Sequence, residues 1–199
     1  MSDPATLRGL SGLSPAPARL QGSALVMIDL QQTYREGVMR LDGVEPALRE
    51  AAALLARARD AGIPVFHVRH DAGEGTPYDV TAPIGQISPE VAPQGDEPVI
   101  TKAYPSSFVG TDLEARLKGA GVTDIVLAGF MTHMCVNSTA RGAFNLGFRP
   151  TVVAAATATR DLPGPDGRVV PAPQLQAASL AALGDLFAVV ARNQADIPD

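Results

Sequence analysis

Asp124-Ile125-Val126-Leu127-Ala128-Gly129-Phe130-Met131-Thr132-His133-Met134-Cys135-Val136 is the stretch that decides the fold. It opens as a short apolar run, breaks at Gly129 and continues into residues with helical spacing, so it reads as a strand feeding a helix. The same texture recurs in both directions. Residues 24–28, 64–68, 98–101, 151–153 and 186–190 are further apolar or β-branched runs. Val44, Leu48, Ala51, Leu55 and Ala58 share one face of a helix that Gly62 and Pro64 stop. Thr111 and Glu114 have the spacing of a capping box for a helix over residues 112–118, closed by Gly119 and Gly121. Residues 132–145 and 174–183 complete the helices. Strands alternating with helices predict βαβ units. The expected fold is a three-layer α/β domain of Rossmann-like form, with a mostly parallel sheet of about six strands and helices on both faces.

The composition agrees. In 199 residues, 46% hydrophobic and 19% charged, there is material for one well-buried core, which excludes a disordered polyelectrolyte, a collagen and a disulfide scaffold. A net charge of −5, with 5% aromatics and no Trp, excludes a nucleic-acid partner held by phosphate neutralisation or base stacking. No run approaches the roughly 20 apolar residues of a membrane span. The single Cys cannot form an internal disulfide, and a cytoplasmic protein is expected. Residues 1–23 lack the basic start and apolar stretch of a secretory signal and are expected to form a surface arm, followed by a domain over 24–192 and a tail over 193–199. Residues 71–97 are rich in Gly and Pro without periodicity. Following a strand, they are expected to overhang the carboxyl edge of the sheet and line a pocket.

Three residues are candidates for chemistry. Asp29 follows the first apolar run, where partial burial raises a carboxyl pKa toward values useful in proton transfer; alternatively it starts a turn. Lys102 ends the third run, as a cation for a thiolate or oxyanion or as a charge bringing the strand to the surface. Cys135 stands in the first turn of a helix, whose positive end favours thiolate and whose free N–H groups suit an oxyanion; alternatively it is a small buried hydrophobe. All three follow predicted strands and so converge on one rim of the sheet. A carboxylate base, a cation and a thiol together suit acyl transfer through a thioester.

Other constellations fit less well. His67 and His70 fall on opposite faces of a strand, and only His70 reaches the rim. His133, two residues from Cys135 on a helix, points in a different direction. There is no Ser nucleophile elbow, phosphate-binding glycine loop or paired-cysteine metal motif.

The residues at this rim resemble the isochorismatase-like cysteine hydrolases, the superfamily of nicotinamidase, N-carbamoylsarcosine amidohydrolase and isochorismatase. The resemblance lies in Asp29-Leu30-Gln31, Lys102 with Ser106-Ser107-Phe108, Gly110-Thr111-Asp112-Leu113, Gly129 with Thr132, Cys135 and Val136, and Thr139-Ala140-Arg141. It spans roughly residues 24–190. It implies Asp29 as base, Lys102 as electrostatic partner and Cys135 as nucleophile. It also implies a cis peptide at Phe130–Met131 that turns the Met131 and Cys135 N–H groups toward the substrate oxygen. A homo-oligomer acting on a small molecule follows from the same resemblance. His67-Val68-Arg69-His70 does not reproduce the metal-binding cluster of nicotinamidases, so neither a metal nor any other cofactor is expected. Ala154-Ala155-Ala156 stands where many relatives carry an acidic residue. The Cys favours amide chemistry over the vinyl ether of true isochorismatases. An ether hydrolase using Asp29 alone, and an idle binding or assembly module, are the alternatives. Gln31, Tyr34, His70, Tyr78 and Phe108 are the candidate pocket residues.

Overall fold

The computed structural model describes residues 4–199. In chain order its elements are α1 (Leu7–Leu10), β1 (Ser23–Ile28), α2 (Val44–Asp60), β2 (Val65–His70), β3 (Val99–Lys102), α3 (Leu113–Gly119), β4 (Asp124–Phe130), α4 (Asn137–Asn145), β5 (Arg149–Ala158), β6 (Leu162–Pro163), β7 (Val169–Val170), α5 (Ala172–Gly184) and β8 (Val189–Ala191). Six of the strands form one sheet in the order β3-β2-β1-β4-β5-β8, every pairing parallel, while β6 and β7 make a separate antiparallel hairpin. All six expected strands are present, and α2, α3, α5 and the helical segment ending in α4 fall where periodicity puts them.

The core follows from period two in the strands. Leu25 and Met27 of β1, Val126, Ala128 and Phe130 of β4, and Val153 of β5 pack against Ala47, Leu48, Ala51, Leu54, Leu55 and Ala58 of α2. The alternate residues Ala24, Val26, Ile28, Ile125, Leu127 and Val152 pack against Leu113 and Leu117 of α3, Ala140 and Ala143 of α4, and Leu183 of α5. One helix layer therefore covers each face, and both β1 and β4 are buried along nearly their whole length. The strand order reverses between β1 and β4. A crevice opens beyond the carboxyl ends of strands at such a point, and this is where open α/β sheets bind ligands.

Two local expectations are corrected. The capping box does not form: Asp112, not Thr111, precedes α3 without a side-chain cap, the Thr111 hydroxyl donates to the Ser107 carbonyl, and Glu114 pairs with Lys118. Strand β5 does not stop at residue 153. A register shift between Leu127 and Gly129 absorbs extra residues, so that Val152 faces Leu127 while Thr157 faces Gly129. Ala154 and Ala155 lie in this bulge, with the Thr157 hydroxyl bonded to the Ala154 carbonyl, and the strand continues to Ala158.

The segment over residues 71–97 is packed, with two 3₁₀ turns at Pro83–Gly85 and Pro89–Val91. A Cβ at Gly85 would stand 2.1 Å from the Asp79 carbonyl oxygen, so only glycine lets the loop close on itself. Its far end is fixed by Glu97, which accepts from Arg59 Nε and Nη2, each at 2.7 Å, and contacts buried His67 Nε2 at 2.9 Å. The arm before β1 lies along its own domain. Ala18 N–H donates to the Thr151 hydroxyl and Leu20 N–H to the Pro198 carbonyl, while Ile197 of the tail is buried.

Gly129 has φ +135°, and a Cβ there would meet the Ile28 carbonyl oxygen at 1.9 Å. Gly129→Ala is therefore expected to cost about 3 kcal/mol or more, seen as a large drop in Tm or loss of soluble protein. The guanidinium of Arg59 holds the Glu97 carboxyl down at about 2 against an ordinary 4.5. A depressed carboxyl contributes stability above its unfolded pKa and loses it as the pH falls toward the folded one. Denaturant titrations should thus show stability falling between about pH 5 and 2. In Glu97→Gln this slope should flatten, and stability at pH 7 should drop by about 1–3 kcal/mol.

Candidate active site

Asp29 is the residue after β1 and is completely buried. Its φ of 50° lies in the left-handed region, which Asp tolerates better than most side chains. Its main-chain N–H still pairs with the Val68 carbonyl at 2.9 Å, so the turn is anchored to β2. Lys102 is the last residue of β3 and is 2% exposed. Cys135 belongs to a π-helical turn, Thr132–Val136, that runs directly into α4. The Phe130–Met131 peptide that leads into this turn is cis, and the Met131 carbonyl accepts from the N–H groups of Met134 and Val136.

These three side chains meet at one atom. Lys102 Nζ lies 2.7 Å from Asp29 Oδ2, 3.4 Å from Cys135 Sγ and 3.2 Å from His70 Nδ1. An ammonium has three protons, and here each has an acceptor. Apart from the ammonium and the thiol, neither carboxylate oxygen of Asp29 has a hydrogen-bond partner among the described residues. Burial raises the Asp29 pKa, with Lys102 opposing the shift. Burial, then the Asp29 charge, pushes the Cys135 thiol up to about 12, with Lys102 pulling it down. The helix-start position was expected to favour thiolate, and this is a correction. Burial outweighs the first turn of the helix, and the thiol is held up rather than down.

The motif residues around the trio are braces. Ser107 N–H donates to Thr139 Oγ1 at 3.0 Å and their hydroxyls are 2.9 Å apart, tying the chain after Lys102 to the helix after Cys135. His133 Nδ1 lies 2.6 Å from the Thr159 hydroxyl and belongs to β5 rather than to the thiol.

The expected pocket residues divide. Tyr34 is buried edge-on between Tyr78 and Phe130, next to Asp29 and Cys135. Tyr78 comes from the 71–97 segment, and its ring meets His70 at 5.0 Å and 80°. His70 reaches Lys102. Gln31 and Phe108 are corrections. Gln31 Nε2 donates to the His70 and Gly85 carbonyls, and Oε1 accepts from His70 N–H, so its amide is spent on main chain. Phe108 stacks on Phe148 and packs beside Gly142, away from the rim.

Arg160 was missed. Two residues beyond β5, it lies near enough to Tyr78 and His133 to bias both, and it forms no ion pair among the described residues. Its Nε is buried without a partner. Read as ending at residue 153, the strand gave no reason to place residue 160 at the rim. Among the described residues, no three His, Cys, Asp or Glu side chains are grouped as a metal site would need.

The comparisons with known proteins agree with the fold. The isochorismatase domain profile matches residues 23–195. A solved isochorismatase from Pseudomonas putida KT2440 superposes with a TM-score of 0.94 and 39% identity, covering 98% of this chain and 99% of that one. The secreted isochorismatase effector of Verticillium dahliae is 34% identical over 190 residues, 95% of this chain and 97% of its own. The maleamate amidohydrolase of Pseudomonas putida is 37% identical over 147 residues, 65% of this chain and 69% of its own. With its parallel sheet, its switch-point crevice and these matches along nearly the whole chain, the protein belongs to the isochorismatase family of hydrolases.

Proposed function

We propose that the protein is a cysteine-dependent amidohydrolase that cleaves the C–N bond of a small, non-peptide amide through a thioester. The observation that carries this reading is the buried Lys102 ammonium in simultaneous contact with a carboxylate and a thiol. A thiol held near 12 is a poor nucleophile until its proton is taken, and a carboxylate with raised pKa beside it is the group to take it. Sγ forms a bond to the carbonyl carbon as its proton passes to Asp29. The oxyanion faces the Met131 and Cys135 N–H groups, the pair that the family resemblance implies. Asp29 then gives the proton to the nitrogen, the C–N bond breaks, and ammonia or an amine leaves. Water, losing a proton to Asp29, attacks the thioester and releases the acid. The proton on Asp29 returns to sulfur. Lys102 offsets negative charge on carboxylate or sulfur throughout. No cofactor enters the scheme.

The name of the maleamate amidohydrolase relative supports amide chemistry. Arg160, unpaired at the rim, suits a substrate with an anionic or strongly polar group. A homo-oligomer in a reducing, cytoplasmic setting completes the reading, since the lone thiol must stay reduced. The compartment rests on that chemistry alone: one relative is named as secreted, and the described residues show only that no helix is long and apolar enough to cross a membrane.

A screen of small amides for ammonia release, with mass spectrometry for an acyl adduct on Cys135, tests the reading. Cys135→Ala should lose about 10³-fold or more in kcat, and Asp29→Asn about 10²–10⁴-fold. Full activity of Cys135→Ala on the best amide would overturn the thioester step, and cleavage of an isochorismate-type ether that survives Cys135→Ser but not Asp29→Asn would point to non-covalent ether hydrolysis instead. Because Asp29 must be ionised to act and its pKa is raised by burial, kcat/KM should fall in acid through a midpoint above the 3.8 of a free aspartate.

A further inference from the structure

His70 carries one polar atom that nothing among the described residues uses. The Gln31 amide grips its main chain through both C=O and N–H. Tyr78 packs edge-on against its ring. Lys102 Nζ occupies Nδ1 at 3.2 Å. An ammonium donates and never accepts, so Nδ1 must offer its lone pair and the ring proton sits on Nε2. Nε2 has no hydrogen-bond partner among the described residues. Backbone, ring and one nitrogen are thus fixed, and the remaining nitrogen is a held donor on a half-buried side chain.

We propose that His70 reads the acyl part of the substrate, its Nε2–H donating to an oxygen or nitrogen acceptor that lies beyond the carbonyl under attack. The proposal deepens the thioester reading and rests on it. The ring and the nucleophile share the Lys102 ammonium, with His70 Nδ1 at 3.2 Å and Cys135 Sγ at 3.4 Å from Nζ, so the acceptor belongs to the same small molecule as the carbonyl under attack. An amide without that acceptor leaves the donor unmatched, which is how a polar site rejects an apolar analogue. The charged and titratable groups around the ring are Lys102, Tyr78 and Asp71, with Asp29 and Cys135 behind the ammonium. Burial and the Lys102 charge hold the ring down at about 4, with Asp71 pulling the other way, so the donor is neutral and unchanged through the physiological range.

The test uses succinamide and butyramide, equal in carbon number but differing in the second carbonyl. Each is assayed for protecting Cys135 from iodoacetamide, which reads binding whether or not turnover occurs. In the wild type, succinamide should protect at about tenfold lower concentration than butyramide. His70→Asn places an amide where Nδ1 was, keeping an acceptor for Lys102 but removing the outer donor. It should bring the two amides to within about threefold of each other, each protection being read against the variant's own unprotected alkylation rate. His70→Gln, whose amide reaches the Nε2 position, should restore the preference. ¹⁵N shifts of labelled histidine should show the Nε2–H tautomer at pH 7. Equal protection by the two amides in the wild type, protection by neither, a preference that survives in His70→Asn, or an Nδ1–H tautomer would each overturn the proposal. A clear preference without ammonia release would instead count against the thioester reading and leave the His70 assignment standing.

Discussion

A single ammonium in a dry place organises this protein. Lys102 Nζ is removed from water, and an isolated buried charge is costly, so its three protons must each find an acceptor. Asp29, Cys135 and His70 supply them, from the ends of β1 and β2 and the turn after β4. The four side chains are consequently fixed relative to one another by a rule as strict as close packing. The pairing also sets the chemistry: the same burial that demands acceptors raises both the carboxyl and the thiol. In the proposed mechanism, the raised carboxyl next to the raised thiol serves as the base that takes its proton.

The sheet delivers these groups because its order reverses between β1 and β4. At that reversal two neighbouring strands send their continuations to opposite faces, and the crevice between them receives Asp29 from one and the Cys135 turn from the other. The approach is close enough that Gly129 cannot carry a side chain against Ile28. The bulge in β5 acts further out. By absorbing Ala154 and Ala155 it brings Thr159 to His133 and Arg160 to the rim, beside Tyr78.

Much of this was legible in the chain. Parallel strands buried on both faces must read as continuous apolar runs, as β1 and β4 do, and each of the six strands carries a short apolar or β-branched run. Asp29, Lys102 and Cys135 were found because each ends or follows such a run, and strand ends in an α/β sheet share a rim. What escaped depends on contacts between distant segments. Thr111 and Glu114 have capping-box spacing, but Ser107 offers the Thr111 hydroxyl a better acceptor. Gln31 lies two residues from Asp29, yet no local signal shows that its amide is matched to the main chain of His70 and Gly85. Phe108 follows the Lys102 motif but turns to Phe148. A bulge leaves no mark on hydrophobic periodicity when its residues are alanines, so Arg160 looked too far along to matter.

The Gln31 joint has a consequence for how such proteins diverge. It holds the segment beneath Tyr78 by main-chain atoms alone, the carbonyls of His70 and Gly85 and one N–H, which every residue provides whatever its side chain. A joint blind to side chains leaves the segment anchored here whatever side chains neighbour Gln31's partners, while Gly85, Val91 and Glu97 tie it to the fold elsewhere. Asp29, Lys102 and Cys135 sit on strand ends and a helical turn that the segment does not build. The outline above them can therefore be redrawn while the three stay where they are.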